Sequence, residues 1–157
     1  MKRNKCPYNC YNGIIFGEYR DPDIDCPFCK SQKIVYLCGA INGRTDEECK
    51  DWRSLIKSKF NCLDPMMRDY RGMEELNYKE IVELDKKDID NSSIILVNYI
   101  KPSVGTSMEI LYAYERRKLI FTVATKGTSI SPWLRYHSNK FFENFNDAIL
   151  EIQEYIK

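Results

Sequence analysis

Histidine is almost missing from this chain: His137 is the only one. A Ser-His-Asp triad would depend on that one residue, and the sequence places no partners around it. His137 therefore reads as a polar residue at the edge of the fold. Long apolar runs are missing too. None approaches the roughly 18–20 residues of a membrane span, and the opening MKRNKCPYNC has no apolar core of a signal peptide. Neither sign of charge prevails, with 24 Lys and Arg against 23 Asp and Glu, so no net basic field draws nucleic acid. The phosphate and dinucleotide fingerprints GxxxxGKS/T and GxGxxG do not occur, which removes both readings. There is no internal repeat or low-complexity segment. These absences leave a soluble, cytoplasmic protein as the expectation.

What is present divides into two unequal parts. The chain has seven cysteines, an odd number that argues against a secreted disulfide scaffold. Four of them form two knuckles, Cys6-Pro7-Tyr8-Asn9-Cys10 and Cys26-Pro27-Phe28-Cys29, with fifteen residues between. That spacing suits a tetrahedral Zn²⁺ held by Cys6, Cys10, Cys26 and Cys29. Four thiolates leave no open coordination position, so the metal is expected to be structural. A segment as short as 1–32 buries too little apolar surface to fold alone, and metal binding would supply its folding free energy. Residues 1–32 are accordingly expected to form a zinc ribbon, and residues 33–157 the main domain. Cys38, Cys49 and Cys62 read as small buried hydrophobes.

From residue 33 strands and helices alternate. Ile34-Val35-Tyr36-Leu37-Cys38 reads as a buried strand. A helix capped by Thr45 or Asp46 follows to about Lys59, with Trp52, Leu55 and Ile56 inward. Residues 61–64 read as a short strand, 66–74 as a polar, arginine-containing loop, and 78–90 as a helix. A strand Ile94–Val97, a helix over about 106–117, a strand Leu119–Ala124 and a final helix near 146–156 complete the pattern. This βαβα order predicts a flavodoxin/Rossmann-like α/β fold, a mostly parallel sheet between helices. The loops at the carboxyl ends of its strands, 36–44, 64–71, 98–109 and 125–137, should converge on the edge where such sheets bind ligands.

Two of those loops, around Gly39 and Gly43 and around Ser103 and Gly105, offer small residues and free backbone N–H groups near a helix start, a seat for an anion. Two acids flank the Ile94–Val97 strand: Asp85 before it and Glu109 after it. As a pair they match the division of labour in retaining glycosidases, one attacking an anomeric carbon and the other handling protons. The residues alone leave Glu109 open between that role and an ordinary first-turn acid favoured by the helix dipole. Trp133, Met66 and Tyr70 are each able to stack on a base or to fill core.

Val35-Tyr36-Leu37-Cys38-Gly39-Ala40-Ile41, the Glu83-x-Asp85 pair and Pro102-Ser103-x-Gly105-x-x-x-Glu109 resemble the nucleoside 2-deoxyribosyltransferase superfamily, and within it the 2'-deoxynucleoside 5'-monophosphate N-hydrolases. The resemblance runs from about residue 34 to 135, with 24 residues from Asp85 to Glu109. It implies that Glu109 is the nucleophile attacking C1', that Tyr36 holds that carboxylate, and that Asp85 transfers a proton at the base. It implies substrate contacts from Gly39, Ile41, Asn42, Arg44, Ser103, Gly105, Ser131 and Trp133. Asn42 stands where the hydrolases often carry arginine, with Arg44 close by. Ser103 discriminates: the transferases commonly have an acid there, and a carboxylate would repel a phosphate dianion that a hydroxyl can bond. Ser131 resembles a phosphate-binding serine contributed by a neighbouring subunit, so at least a homodimer is expected. The implied activity is hydrolysis of a deoxynucleoside monophosphate to free base and sugar phosphate. The alternatives are base exchange between nucleosides and a non-catalytic nucleotide-sensing module. The residues do not name the ribbon's partner.

Overall fold

A computed structural model describes residues 33–156 and, from the segment before them, the backbone of two short strands. These are β1 (Ile14–Ile15) and β2 (Ile24–Asp25), an antiparallel pair with Ile14 opposite Asp25 and Ile15 opposite Ile24. Cys6, Cys10, Cys26 and Cys29 lie outside the described residues.

The main body is a five-stranded parallel sheet built from β3 (Val35–Gly39), β4 (Cys62–Leu63), β5 (Ile94–Asn98), β6 (Leu119–Val123) and β7 (Lys140–Phe142). The spatial order is β4-β3-β5-β6-β7. Order reverses between β3 and β5, which pair along their full five-residue lengths from Val35–Ile94 to Gly39–Asn98. A crevice opens where connections leave such a reversal in opposite directions.

Five helices cover the sheet: α1 (Asp46–Lys57), α2 (Glu74–Asn91), α3 (Val104–Glu115), α4 (Pro132–His137) and α5 (Phe145–Ile156). Because side chains alternate along a strand, Val35, Leu37, Ile94, Leu96, Phe121 and Val123 point to one face, where they pack on Trp52 and Ile56 of α1 and Ala148, Ile149 and Ile152 of α5. Tyr36, Cys38, Ile95, Val97 and Ile120 point to the other, against Ile89 of α2, Ile110 and Ala113 of α3 and Leu134 of α4. The second face thus carries a tyrosine hydroxyl and a thiol into the layer where α2 and α3 lie. Among the described residues no helix is long and apolar enough to cross a membrane.

Several boundaries move relative to the sequence pattern. Thr45, not Asp46, caps α1 in a full capping box: its hydroxyl accepts from Glu48 N at 3.3 Å, and Glu48 Oε2 accepts from Thr45 N at 3.0 Å. α2 begins at Glu74, earlier than periodicity suggests, and Met73 at its cap makes no side-chain bond that would mark the start. Pro65–Arg68 forms a 3-10 turn inside the expected loop, capped by Asp64. α4 and the edge strand β7 occupy a region whose pattern announced neither.

Candidate active site

A cavity of about 680 Å³ opens at the carboxyl edge of the sheet, lined by Gly39–Asn42 after β3, Pro65 and Arg68–Arg71 after β4, Ser103–Thr106 at the start of α3, and facing sides of α2 and α3. Its size is that of a small-molecule site. Three of the four strand-end loops converge there as expected. The loop from 125 to 137 does not contribute to the lining.

Glu109 is the sixth residue of α3, and no acid occupies that helix's first turn. The dipole's favour for acids fades within the first turn, so it does not account for this residue. Glu109 instead lines the cavity together with Asp85. Burial pushes its carboxyl up to about 7, and the negative charge of Asp85 adds to the rise, while the Cys38 thiol, Arg53 and the Tyr36 hydroxyl hold it down. Tyr36 is fully buried on β3, and its hydroxyl has no hydrogen-bond partner of normal length. Burial first, then the charge of Glu109, raises its pKa. That hydroxyl lies close enough to Glu109 to favour its carboxylate. The Asp85 carboxyl is also raised, by burial, against the pull of Arg68.

Ser103 N-caps α3, its Oγ accepting from Thr106 N at 3.4 Å. It lines the cavity with Gly105, and a side chain at Gly105 would meet only open space. The first turn of α3 therefore presents backbone N–H groups to the cavity with little to screen them. Gly39 is small for a different reason: a Cβ there would lie 3.1 Å from the Trp52 ring and 3.4 Å from Asn98. Its carbonyl is fixed by buried Arg53, whose Nη2 donates to Gly39 O at 3.1 Å while Nη1 donates to Cys49 O at 2.7 Å. Arg53 Nε lies 3.1 Å from Asp64 Oδ1, an ion pair without the alignment of a hydrogen bond.

Of the residues singled out from sequence, Gly39, Ile41, Asn42, Asp85, Ser103, Gly105 and Glu109 line the cavity. Arg44 does not. Its side chain bonds Glu48 at 3.1 Å, and the cations lining the cavity are Arg68, Arg71 and Lys86, of which Arg71 donates to Arg44 O at 3.1 Å. Ser131 caps α4, accepting from Leu134 N at 3.1 Å. Trp133 is 73% exposed and stacks on His137; both Ser131 and Trp133 lie off this cavity. Of the three base-stacking candidates, Tyr70 lines the cavity and Met66 is buried as core. His137 donates from Nδ1 to Trp133 O at 2.7 Å and, among the described residues, bonds no carboxylate. Arg68 is the contributor that sequence reasoning passed over. Its only sequence signal is its place in the arginine-containing segment after β4.

Fold and site together define a parallel α/β protein with two carboxylates and a helix N-terminus around one crevice. Two solved structures share that fold. One is a 2-deoxyribosyltransferase from Bacillus psychrosaccharolyticus, 16% identical, covering 74% of this chain and 90% of its own with a TM-score of 0.57. The other is the CMP N-glycosidase BcmB from Clostridium botulinum, 15% identical, covering 77% of this chain and 99% of its own with a TM-score of 0.51. No protein-family model matches the sequence, and no curated protein matches it.

Proposed function

We propose that this protein cleaves the N-glycosidic bond of a (deoxy)nucleoside 5'-monophosphate, releasing free base and (deoxy)ribose 5-phosphate. The observation that carries this reading is Glu109: a carboxylate raised to about 7 by burial and by Asp85, in a cavity of nucleotide size. An oxygen of ionised Glu109 attacks C1', the C1'–N bond breaks, and its electron pair leaves with the base. Water then attacks C1' of the glycosyl ester and returns the carboxylate. Asp85 is the proton-handling partner of this cycle. Tyr36 steadies the nucleophile. The 5'-phosphate sits at the start of α3, where Ser103 Oγ and free N–H groups favour an anion. The likeness in fold to a CMP N-glycosidase supports the reading, as does the resemblance in motifs.

Base exchange is the second reading, favoured by the fold shared with a 2-deoxyribosyltransferase. A chromatographic assay against deoxynucleoside monophosphates and free nucleosides, with and without an added base, separates the two. Base and sugar phosphate formed from monophosphates alone is the expected result. New nucleosides appearing only with a second base would make the protein a transferase. Glu109→Gln is expected to abolish turnover, by at least ~10³-fold, with its circular dichroism unchanged.

The protein is further proposed to be a homodimer in which Ser131 and Trp133, both exposed at the start of α4, reach the cavity of the other copy. Residues 1–32 are proposed to be a zinc ribbon held by Cys6, Cys10, Cys26 and Cys29. One zinc per chain by elemental analysis, lost in Cys26→Ser, is expected; a folded, metal-free wild type would sink the ribbon.

A further inference from the structure

Arg68 ends the 3-10 turn that Asp64 caps, and its guanidinium reaches across to α2. One amino group lies 2.8 Å from Asp85 Oδ1 and the other 2.6 Å from Asp88 Oδ2. The two aspartates are three residues apart, neighbours on one helix face. All three side chains are mostly buried, 23% exposed for Arg68 and 15% for each aspartate. Arg68 and Asp85 line the cavity, whereas Asp88 lies outside its lining. Asp88 thus anchors one arm of the fork from behind, and the other arm fixes the carboxylate that faces the substrate. A planar fork suits two carboxylates at once in a way that a lysine's point charge does not.

We propose that Arg68 is a positioning residue that holds Asp85 ionised at the cavity wall, so that Asp85 takes the proton of the attacking water rather than bringing a proton to the base. This rests on the glycosidase reading above. The titratable and charged groups around Asp85 are Arg68 and Tyr70 from the loop after β4, Asp88 on its own helix, Glu109 from α3, and Tyr36 and Cys38 from β3. Lys86 lines the same cavity, but among the described residues Arg68 is the cation bonded to Asp85. Burial raises the Asp85 carboxyl and Arg68 works against that rise; protonating Asp85 gives up the charge-assisted bond, so the pairing opposes its service as a proton donor. The steps balance without one. Glu109 attacks C1', and the base leaves with the bonding pair and takes a proton from solvent. Water oxygen then bonds to C1', its proton passes to Asp85, and the ester oxygen of Glu109 leaves with its pair as carboxylate. Asp85 finally gives its proton to solvent.

The two steps separate the roles. In rapid-quench kinetics, Arg68→Ala is expected to release about one equivalent of base per site in a burst, followed by turnover slowed ~10- to 100-fold. Intact-mass spectrometry should then show a sugar-phosphate adduct on the protein. Arg68→Lys, which keeps one charge, should recover part of the second-step rate, and Arg68→Ala combined with Asp85→Asn should be no slower than Asp85→Asn alone. A slowed burst with no adduct would make Asp85 the first-step acid and overturn the proposal. Carbon-13 titration of the Asp85 carboxyl gives a readout independent of turnover: Arg68→Ala should move its midpoint upward, and an unmoved midpoint would overturn the pairing. If the wild type releases no base from any nucleotide, the proposed function fails instead, and the titration still decides what Arg68 does.

Discussion

Glu74 and Glu109 are both helical glutamates, yet only the first sits where a helix dipole favours a negative charge. Glu109 lies deeper in its helix and faces a second acid, so its ionisation works against the fold. Its pKa is raised to about 7 from the usual 4.5. The folded state therefore resists ionisation. The resulting destabilisation is absent below about pH 4.5, grows as pH rises toward 7, and is fully present above it. Urea unfolding at pH 5 and pH 8 should find Glu109→Gln more stable than wild type at pH 8, on the order of 1 kcal/mol because the cavity side is open to solvent, with the gap closing toward pH 5. Activity should follow the opposite sense. Attack needs the carboxylate, so kcat/KM should rise with pH to a limb near 7 set by the Glu109 and Asp85 pair together. The sequence made Glu109 a candidate through its motif and its distance from Asp85. It gave no view of Arg68, because the partner of a carboxylate seventeen residues away is set by how a turn packs on a helix, not by spacing.

Among the elements, α3 does most to build the cavity, since one helix supplies both the proposed phosphate seat at its start and the proposed nucleophile a turn and a half later. Ser103 does two jobs there, capping the helix and bordering the cavity. Ser103→Asp separates them. Aspartate caps a helix as well as serine does, so thermal stability should stay within about 0.5 kcal/mol. The added charge should raise KM for a monophosphate by roughly tenfold or more and leave an unphosphorylated nucleoside little affected; equal effects on both would refute the phosphate seat. The strands were legible because β3, β5 and β6 are mostly apolar runs, and α1 because a capping residue at Thr45 or Asp46 precedes the apolar face of Trp52, Leu55 and Ile56. α2 was read too short because Met73 gives no capping signal. β7 escaped because Lys140–Phe142 is too short for alternation to register. Ser131-Pro132 is a good helix start, but the six residues of α4 are too few to show a helical period.

At the scale of the whole molecule, the strand order β4-β3-β5-β6-β7 decides where the loops meet: the alternating sequence pattern implied that sheet and named four converging loops, of which 36–44, 64–71 and 98–109 line the cavity and 125–137 does not. The edges of the sheet have a further consequence. β4 offers two paired residues and β7 three, too little ladder for another chain to extend. Copies of this protein are therefore poorly suited to stacking strand on strand into fibres. Val82 on α2, Met108 on α3 and Trp133 and Tyr136 on α4 are all exposed, on the helical layer that also flanks the cavity. In the homodimer proposed above, contact on that layer would shield apolar side chains and close the crevice.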